Sequence, residues 1–280
     1  MLFTLYKRLM KSKITGGETR LLFKKKVLSK YDVSYFQCVD TGYIQTEEPY
    51  WLNEAYSSAI SSLDCGLVMR NTMLTSRVSK LIYDEFNTKA KFIDYGGGYG
   101  LFVRMMRDAG FDFYLQDLYA PNLFAQYFDV KDLTEVSHFE LLTAFEVFEH
   151  LVNPLPEIEK MLTFSKNILF STEIMPANKG EIEKWWYFVP EAGQHVSLYT
   201  IDSLKFIAKK FNLYFYSNQK GLHLFTSEPL KQNPWEEKQL TLAERIKNKL
   251  LGNNKQKQAT LNKSLVSADF DLIMRKIQNK

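Results

Sequence analysis

The run Asp94-Tyr95-Gly96-Gly97-Gly98-Tyr99-Gly100 constrains what this chain can fold into more than any other stretch of it. It sits between an apolar segment that reads as a strand, Ala90 to Tyr95, and an amphipathic one that reads as a helix, Leu101 to Ala109. Glycines in a strand-to-helix turn let the backbone reverse sharply and approach a ligand, because a Cβ there would take up the ligand's space. Gly110 follows where a left-handed helix cap is wanted. Short apolar runs alternate with amphipathic stretches over residues 91–227, the pattern of a βαβ sheet. Phe111 to Gln116, Phe139 to Phe145 and Lys166 to Ser171 read as strands, with Asp117 ending the first, and Thr200 to Lys210 reads as a helix. Two aromatic strands, Leu213 to Ser217 and Leu222 to Thr226, close the series as a hairpin through Asn218-Gln219-Lys220-Gly221.

Spacing decides among nucleotide ligands. A dinucleotide fingerprint begun at Gly96 meets Leu101 where glycine or alanine is needed, and one begun at Gly98 meets Val103. The Gly-Lys-Ser/Thr of a P-loop is missing as well. An acid followed by three alternate glycines instead resembles motif I of the class I S-adenosylmethionine-dependent methyltransferases. The resemblance extends over about residues 36–227 and implies an α/β, Rossmann-like sheet, mostly parallel, ending in the antiparallel hairpin. It implies S-adenosylmethionine as cofactor, held by Asp94, Gly96, Gly97, Gly98 and Gly100, with Leu118, Phe145 and Glu146 beside it. Asp117 lies 17 residues beyond Gly100, where a carboxylate accepts both ribose hydroxyls of an adenosine; alternatively it caps Leu118-Tyr119-Ala120-Pro121.

Glu146, Glu149 and His150 follow a buried strand, and as the first turn of a helix their spacing puts them on one face. Such a trio can bind a divalent ion, with His195 as a fourth ligand. The Glu-x-x-Glu-His pattern is similar to that of metal-assisted O-methyltransferases, including ubiquinone-pathway and small-RNA ribose enzymes, and also to that of relatives that use no metal. Acids at a helix N-terminus and a histidine in a polar cleft explain the pattern equally, and no metal is assigned from the sequence. The long insertion Met175 to Tyr199 carries Trp185, Trp186 and Tyr187, either a stacking wall for the substrate or a packed lid. Its Gly193-Gln194-His195-Val196-Ser197-Leu198-Tyr199 resembles a segment of methyltransferases from glycan and secondary-metabolite pathways, in which the histidine faces the cleft. His150 and His195 are the candidate catalytic bases, although either histidine can equally be structural. Phe36-Gln37-Cys38-Val39-Asp40-Thr41-Gly42 is similar to the leading segment of sugar-type relatives, but Thr41 replaces their second cysteine, so no structural zinc is expected.

Charge divides the chain. Residues 1–30 carry +8 and residues 231–280 carry +6, which leaves −10 on 31–230. An acidic middle with basic ends does not suit a nucleic-acid-binding domain, whose positive charge belongs on the folded face. The expected organisation is a basic arm (1–30), a lead-in (31–90) containing a helix from about Asn71 to Phe86, the cofactor-binding domain (91–230) and a basic helical tail (231–280). The bland reading makes both ends solvated helical arms; the functional one is peripheral contact with an anionic surface. Two cysteines and the lack of a long apolar run point to a cytoplasmic protein without a transmembrane segment. The expected reaction is methyl transfer to a small molecule, a saccharide or nucleotide sugar, on oxygen or carbon. A metal-assisted RNA ribose methyltransferase and a non-catalytic scaffold subunit stand as alternatives.

Overall fold

A computed structural model describes residues 10–56, 63–135, 138–236 and 262–278. The chain opens with three strands, β1 (Thr19–Val27), β2 (Tyr31–Cys38) and β3 (Ile44–Thr46), paired antiparallel in that order. The expected helical basic arm is therefore corrected from Thr19 onward: Thr19–Val27 is the edge strand of a sheet that continues with β2 across the boundary placed at residue 30. Several of its lysines are ion-paired, Lys25 with Glu183 at 3.1 Å, Lys26 with Asp32 at 3.2 Å and Lys30 with Glu54 at 2.8 Å. Residues 1–9 lie outside the described residues.

After the short α1 (Leu52–Ala55), α2 (Leu67–Glu85) begins four residues earlier than expected and leads into β4 (Lys91–Tyr95). The elements α3 (Leu101–Asp108), β5 (Asp112–Gln116), β6 (Leu141–Ala144), α4 (Pro154–Phe164) and β7 (Ile168–Ser171) then build a parallel sheet. Its inner strands, β6 and β7, are buried along their whole length, as a sheet covered on both faces requires. The insertion supplies α5 (Lys179–Ile182) and β8 (Ser197–Leu198), followed by α6 (Ile201–Lys210), β9 (Tyr214–Ser217) and β10 (Leu222–Thr226). The sheet order is β5-β4-β6-β7-β10-β9, with β10 antiparallel to both its neighbours. Since β4 is flanked by β5 on one side and by β6 on the other, the winding reverses there and opens a crevice at the strands' carboxyl ends.

β8 leaves the main sheet and pairs with β3, giving a second sheet in the order β1-β2-β3-β8. The insertion is thus folded onto the N-terminal strands around a separate core that includes Tyr35, Trp51, Phe188 and Leu198. Trp51 Nε1 donates to the Gly193 carbonyl at 2.8 Å and Gln194 Nε2 donates to the Ala55 carbonyl at 2.9 Å, which fixes the two residues that precede His195.

At the far end α7 (Val266–Gln278) packs against α3. The buried Arg107 guanidinium grips Asp269 with two hydrogen bonds, of 2.9 and 2.7 Å, and reaches Asp112 at 2.6 Å. A Cβ on Gly110, whose φ is +90°, would meet Asn262 at 2.5 Å, so glycine is required here by packing as well as by capping. The part of the expected tail between 237 and 261 lies outside the described residues. No helix of the described residues is long and apolar enough to cross a membrane.

Candidate active site

The glycine turn opens the floor of a cleft of about 350 Å³. Gly96, Gly98 and Gly100 have φ of +69°, +58° and +82°, a region that other residues enter at a cost. A Cβ on Gly96 would meet Val147 at 2.8 Å, whereas one on Gly98 would meet nothing within 4 Å because that position faces the open cleft. Asp94 is buried beneath the turn and accepts from Thr143 Oγ1 at 2.7 Å. Burial pushes its carboxyl up to about 7, with the charge of Asp117 adding to the effect. Asp117 accepts the Gly98 amide at 2.9 Å on one oxygen and the Tyr119 and Ala120 amides at 2.7 and 2.8 Å on the other. It therefore caps its own turn and also braces the glycine loop.

Asp94, Gly96, Gly97, Gly98, Phe145 and Glu146 line the cleft, as the sequence suggested for a cofactor. Gly100, Asp117 and Leu118 are set back from its wall. Gly100 begins α3, where a Cβ would strike Asn122 Oδ1 at 2.6 Å, and Leu118 is exposed on the rim. An adenosyl group fits these residues: bare backbone at Gly98 facing open space, an apolar wall at Phe145, and a carboxylate behind the loop with a lone pair left over.

The helix expected to begin at Glu146 is absent. Phe148–His150 forms a single 3-10 turn, and Glu146 lies in the left-handed region with φ +53°. Ser171 is the reason: its hydroxyl accepts the Glu146 amide at 2.8 Å and donates to the Glu146 carboxylate at 2.6 Å. The three groups consequently do not share a helix face. Glu146 turns to Ser171, Glu149 is buried completely and His150 lines the cleft. Burial, together with the mutual proximity of the two carboxyls for Glu146, raises both glutamates to about 7.

His150 and His195 do come together, with ring centroids 5.0 Å apart. Each presents Nδ1 to a backbone carbonyl, Gln194 O at 3.0 Å and Tyr187 O at 2.8 Å. A carbonyl only accepts, so each ring carries its proton on Nδ1 and keeps Nε2 as a bare lone pair. Burial lowers the two imidazoles to about 4 and about 3, the neighbouring His150 contributing to the second, and both are neutral at pH 7. Of the aromatic cluster, Trp186 and Tyr187 line the cleft, Trp186 being 71% exposed. Trp185 does not; it packs against the second core, which corrects its expected substrate role. Sequence reasoning missed Arg70 and Asp64, which also line the cleft and are joined by two hydrogen bonds of 3.0 and 2.8 Å. The one available signal was a cationic residue in the first turn of a helix that enters the sheet.

Residues 70–218 match the methyltransferase domain family, a span that runs from α2 through β9 and covers more than half of the chain. The chain belongs to this family. It is a class I S-adenosylmethionine-dependent methyltransferase. Similar solved structures include the plantazolicin methyltransferase BpumL in complex with a monoazolic desmethylPZN analog and SAH (11% identity, 64% of this chain and 93% of that one, TM-score 0.44). Others are CalO1, a methyltransferase in calicheamicin biosynthesis, SAH-bound (15%, 65% and 60%, 0.37), and an O-methyltransferase family 2 protein from Planctomyces limnophilus in complex with apigenin (9%, 63% and 65%, 0.42). The chain thus spans under two thirds of the length of the last two. No curated protein sequence matches it.

Proposed function

We propose that this methyltransferase methylates a hydroxyl of a small polyhydroxylated acceptor, a saccharide or a nucleotide sugar. The cofactor supplies a methyl group already activated on a sulfonium, so the protein's own tasks are to exclude water and to align the acceptor. The glycine turn and Phe145 are assigned to the cofactor, and His150 and His195 to the acceptor.

The observation that carries this reading is the pair of neutral imidazoles sharing one cleft with the glycine turn. Each bare Nε2 can take a hydrogen bond, and then a proton, from an acceptor hydroxyl. The exposed face of Trp186 suits the apolar side of a sugar ring, while Arg70, Asp64 and Asn71 supply polar groups around it. The ion-paired lysines of β1 give no comparable support to an RNA acceptor.

Formation of the demethylated cofactor, followed over a panel of free sugars, nucleotide sugars, phenols and short RNAs, tests the assignment. Turnover is expected with a sugar-type acceptor. His150→Gln and His195→Gln are each expected to lower kcat by about 100-fold or more while cofactor affinity stays within about threefold. Turnover confined to RNA or to phenols would overturn the acceptor class.

A further inference from the structure

Among the described residues, the five most exposed large apolar side chains are Tyr119, Trp186, Leu118, Met69 and Val68. All five belong to segments that wall the cleft. Helix α2 lines it with Leu67 and Asn71, the loop after β5 lines it with Phe124, and the insertion lines it with Trp186 itself. Residues 67, 71 and 74 share the cleft face of α2, so Val68 and Met69 lie beside that face, with the exposed Met73 one turn on. The result is an apolar collar around the opening. It is also uncharged: residues 118–128 contain no charged residue, and the one charge in residues 65–76, Arg70, is paired with Asp64. A single exposed apolar side chain is ordinary, but a set ringing one opening marks a surface that meets an apolar partner.

The border of the collar is cationic. Arg77 is exposed one turn beyond Met73 on α2. Arg275 and Lys276 lie in the last turn of α7, and Lys276 Nζ stands 5.6 Å over the ring of Tyr127, three residues after Phe124. The outward side of α7 continues the apolar surface with Phe270, Met274 and Ile277, and residues 231–280 carry +6. An uncharged apolar centre with a basic edge complements an anionic bilayer, where tyrosine and tryptophan rings settle among the headgroups and lysine and arginine meet the phosphates. A protein seated on the collar, a second copy included, would close the opening through which the acceptor passes. A lipid surface leaves it usable when the acceptor lies in that surface.

We propose that the mouth of the cleft docks on an anionic lipid surface and that the acceptor is drawn from it. The docking is independent of the reaction. The acceptor rests on the methyl-transfer reading above and narrows it to a saccharide carried on a lipid anchor.

The test uses the full chain and two sets of vesicles, phosphatidylcholine alone and phosphatidylcholine with about one third phosphatidylglycerol, followed by co-sedimentation. Wild type is expected to bind the anionic vesicles at least about tenfold more tightly than the neutral ones, and less tightly as salt is raised. Met69→Ser combined with Leu123→Ser, and Arg275→Glu combined with Lys276→Glu, are each expected to weaken that binding by about tenfold or more. Circular dichroism checks that both variants are folded, and wild-type binding alone decides the matter should they fail to fold. No binding to either vesicle, or binding unchanged in both variants, overturns the proposal. So does a stable dimer in sedimentation equilibrium that the Met69 and Leu123 changes dissociate, which would make a second copy the occupant. Methyl transfer to a lipid-anchored saccharide in the anionic vesicles should show kcat/KM at least about tenfold above that of the same saccharide free in solution. Vesicle binding with equal kcat/KM overturns the lipid-borne acceptor, vesicle binding with no transfer to either saccharide sinks the acceptor reading beneath it, and transfer without vesicle binding sinks only the docking surface.

Discussion

Asp117 and Glu149 are carboxylates at the same edge of one sheet, and their surroundings are opposite. Asp117 holds three backbone amides and thereby locks the glycine turn. Glu149, deeper in the molecule, makes no hydrogen bond of good geometry, and its neighbours are its own amide and the hydroxyls of Tyr187 and Thr172, which lack well-formed bonds too. An unanswered buried polar group costs about 1–3 kcal/mol, so the second region is kept at the expense of stability. The contrast teaches a division of labour. The cofactor end is complete before any ligand arrives, as suits a ligand that is the same in every turnover, while the acceptor end is finished by what binds there.

The largest effect expected comes from the one cofactor-end carboxyl that departs from this pattern. Asp94 has a folded pKa of about 7 against 3.8 for the free group. Its contribution is fully present below about pH 4 and is lost as pH rises through 7, because the unfolded chain releases that proton first. Denaturant titrations from pH 4 to 8 should show wild type losing about 3–4 kcal/mol relative to Asp94→Asn. Parallel stability curves would mean that Asp94 is not desolvated.

Asp117→Ala comes next. With three amides released, cofactor affinity by calorimetry should fall about 30–100-fold and the melting temperature should drop. An unchanged affinity would reduce Asp117 to a local cap. Glu149→Gln tests the other end and carries the opposite sign: above pH 7, where the buried carboxyl is ionised, its replacement by a neutral amide should raise stability by about 1–2 kcal/mol while turnover falls. A variant less stable than wild type would break the comparison. The smallest effect is expected at the rim, where Trp186→Ala should leave stability within about 0.5 kcal/mol and raise the acceptor KM about three- to tenfold. An unaltered KM would remove the stacking platform.

The parts legible in the sequence are those fixed by local contacts. The β4 turn and α3 follow from glycine conformation and hydrophobic period, and the β9–β10 hairpin from its four-residue link. What escaped depends on partners distant in the chain. Glu146 was read into a helix because its spacing suits one, yet its positive φ is set by Ser171, 25 positions later. β1 was read as an arm because lysines interrupt its apolar alternation, and the small sheet it borders is closed by β8, some 150 residues beyond β3. His195 was singled out on resemblance, whereas the carbonyl bonds that give both histidines the same tautomer are tertiary and have no sequence signature.

The central claim is that the cleft floored by Gly98 holds S-adenosylmethionine, and calorimetric titration of that ligand into wild type and Gly98→Val tests it most directly. A Cβ at Gly98 would meet no neighbouring atom within 4 Å, so the cost to the free protein is the strain of a β-branched residue at φ +58°, and circular dichroism checks that the variant is folded. Wild type should bind one equivalent, and Gly98→Val should bind at least about 100-fold more weakly, a loss of roughly 3 kcal/mol. Equal affinity in the two proteins, or none in the wild type, would contradict the account.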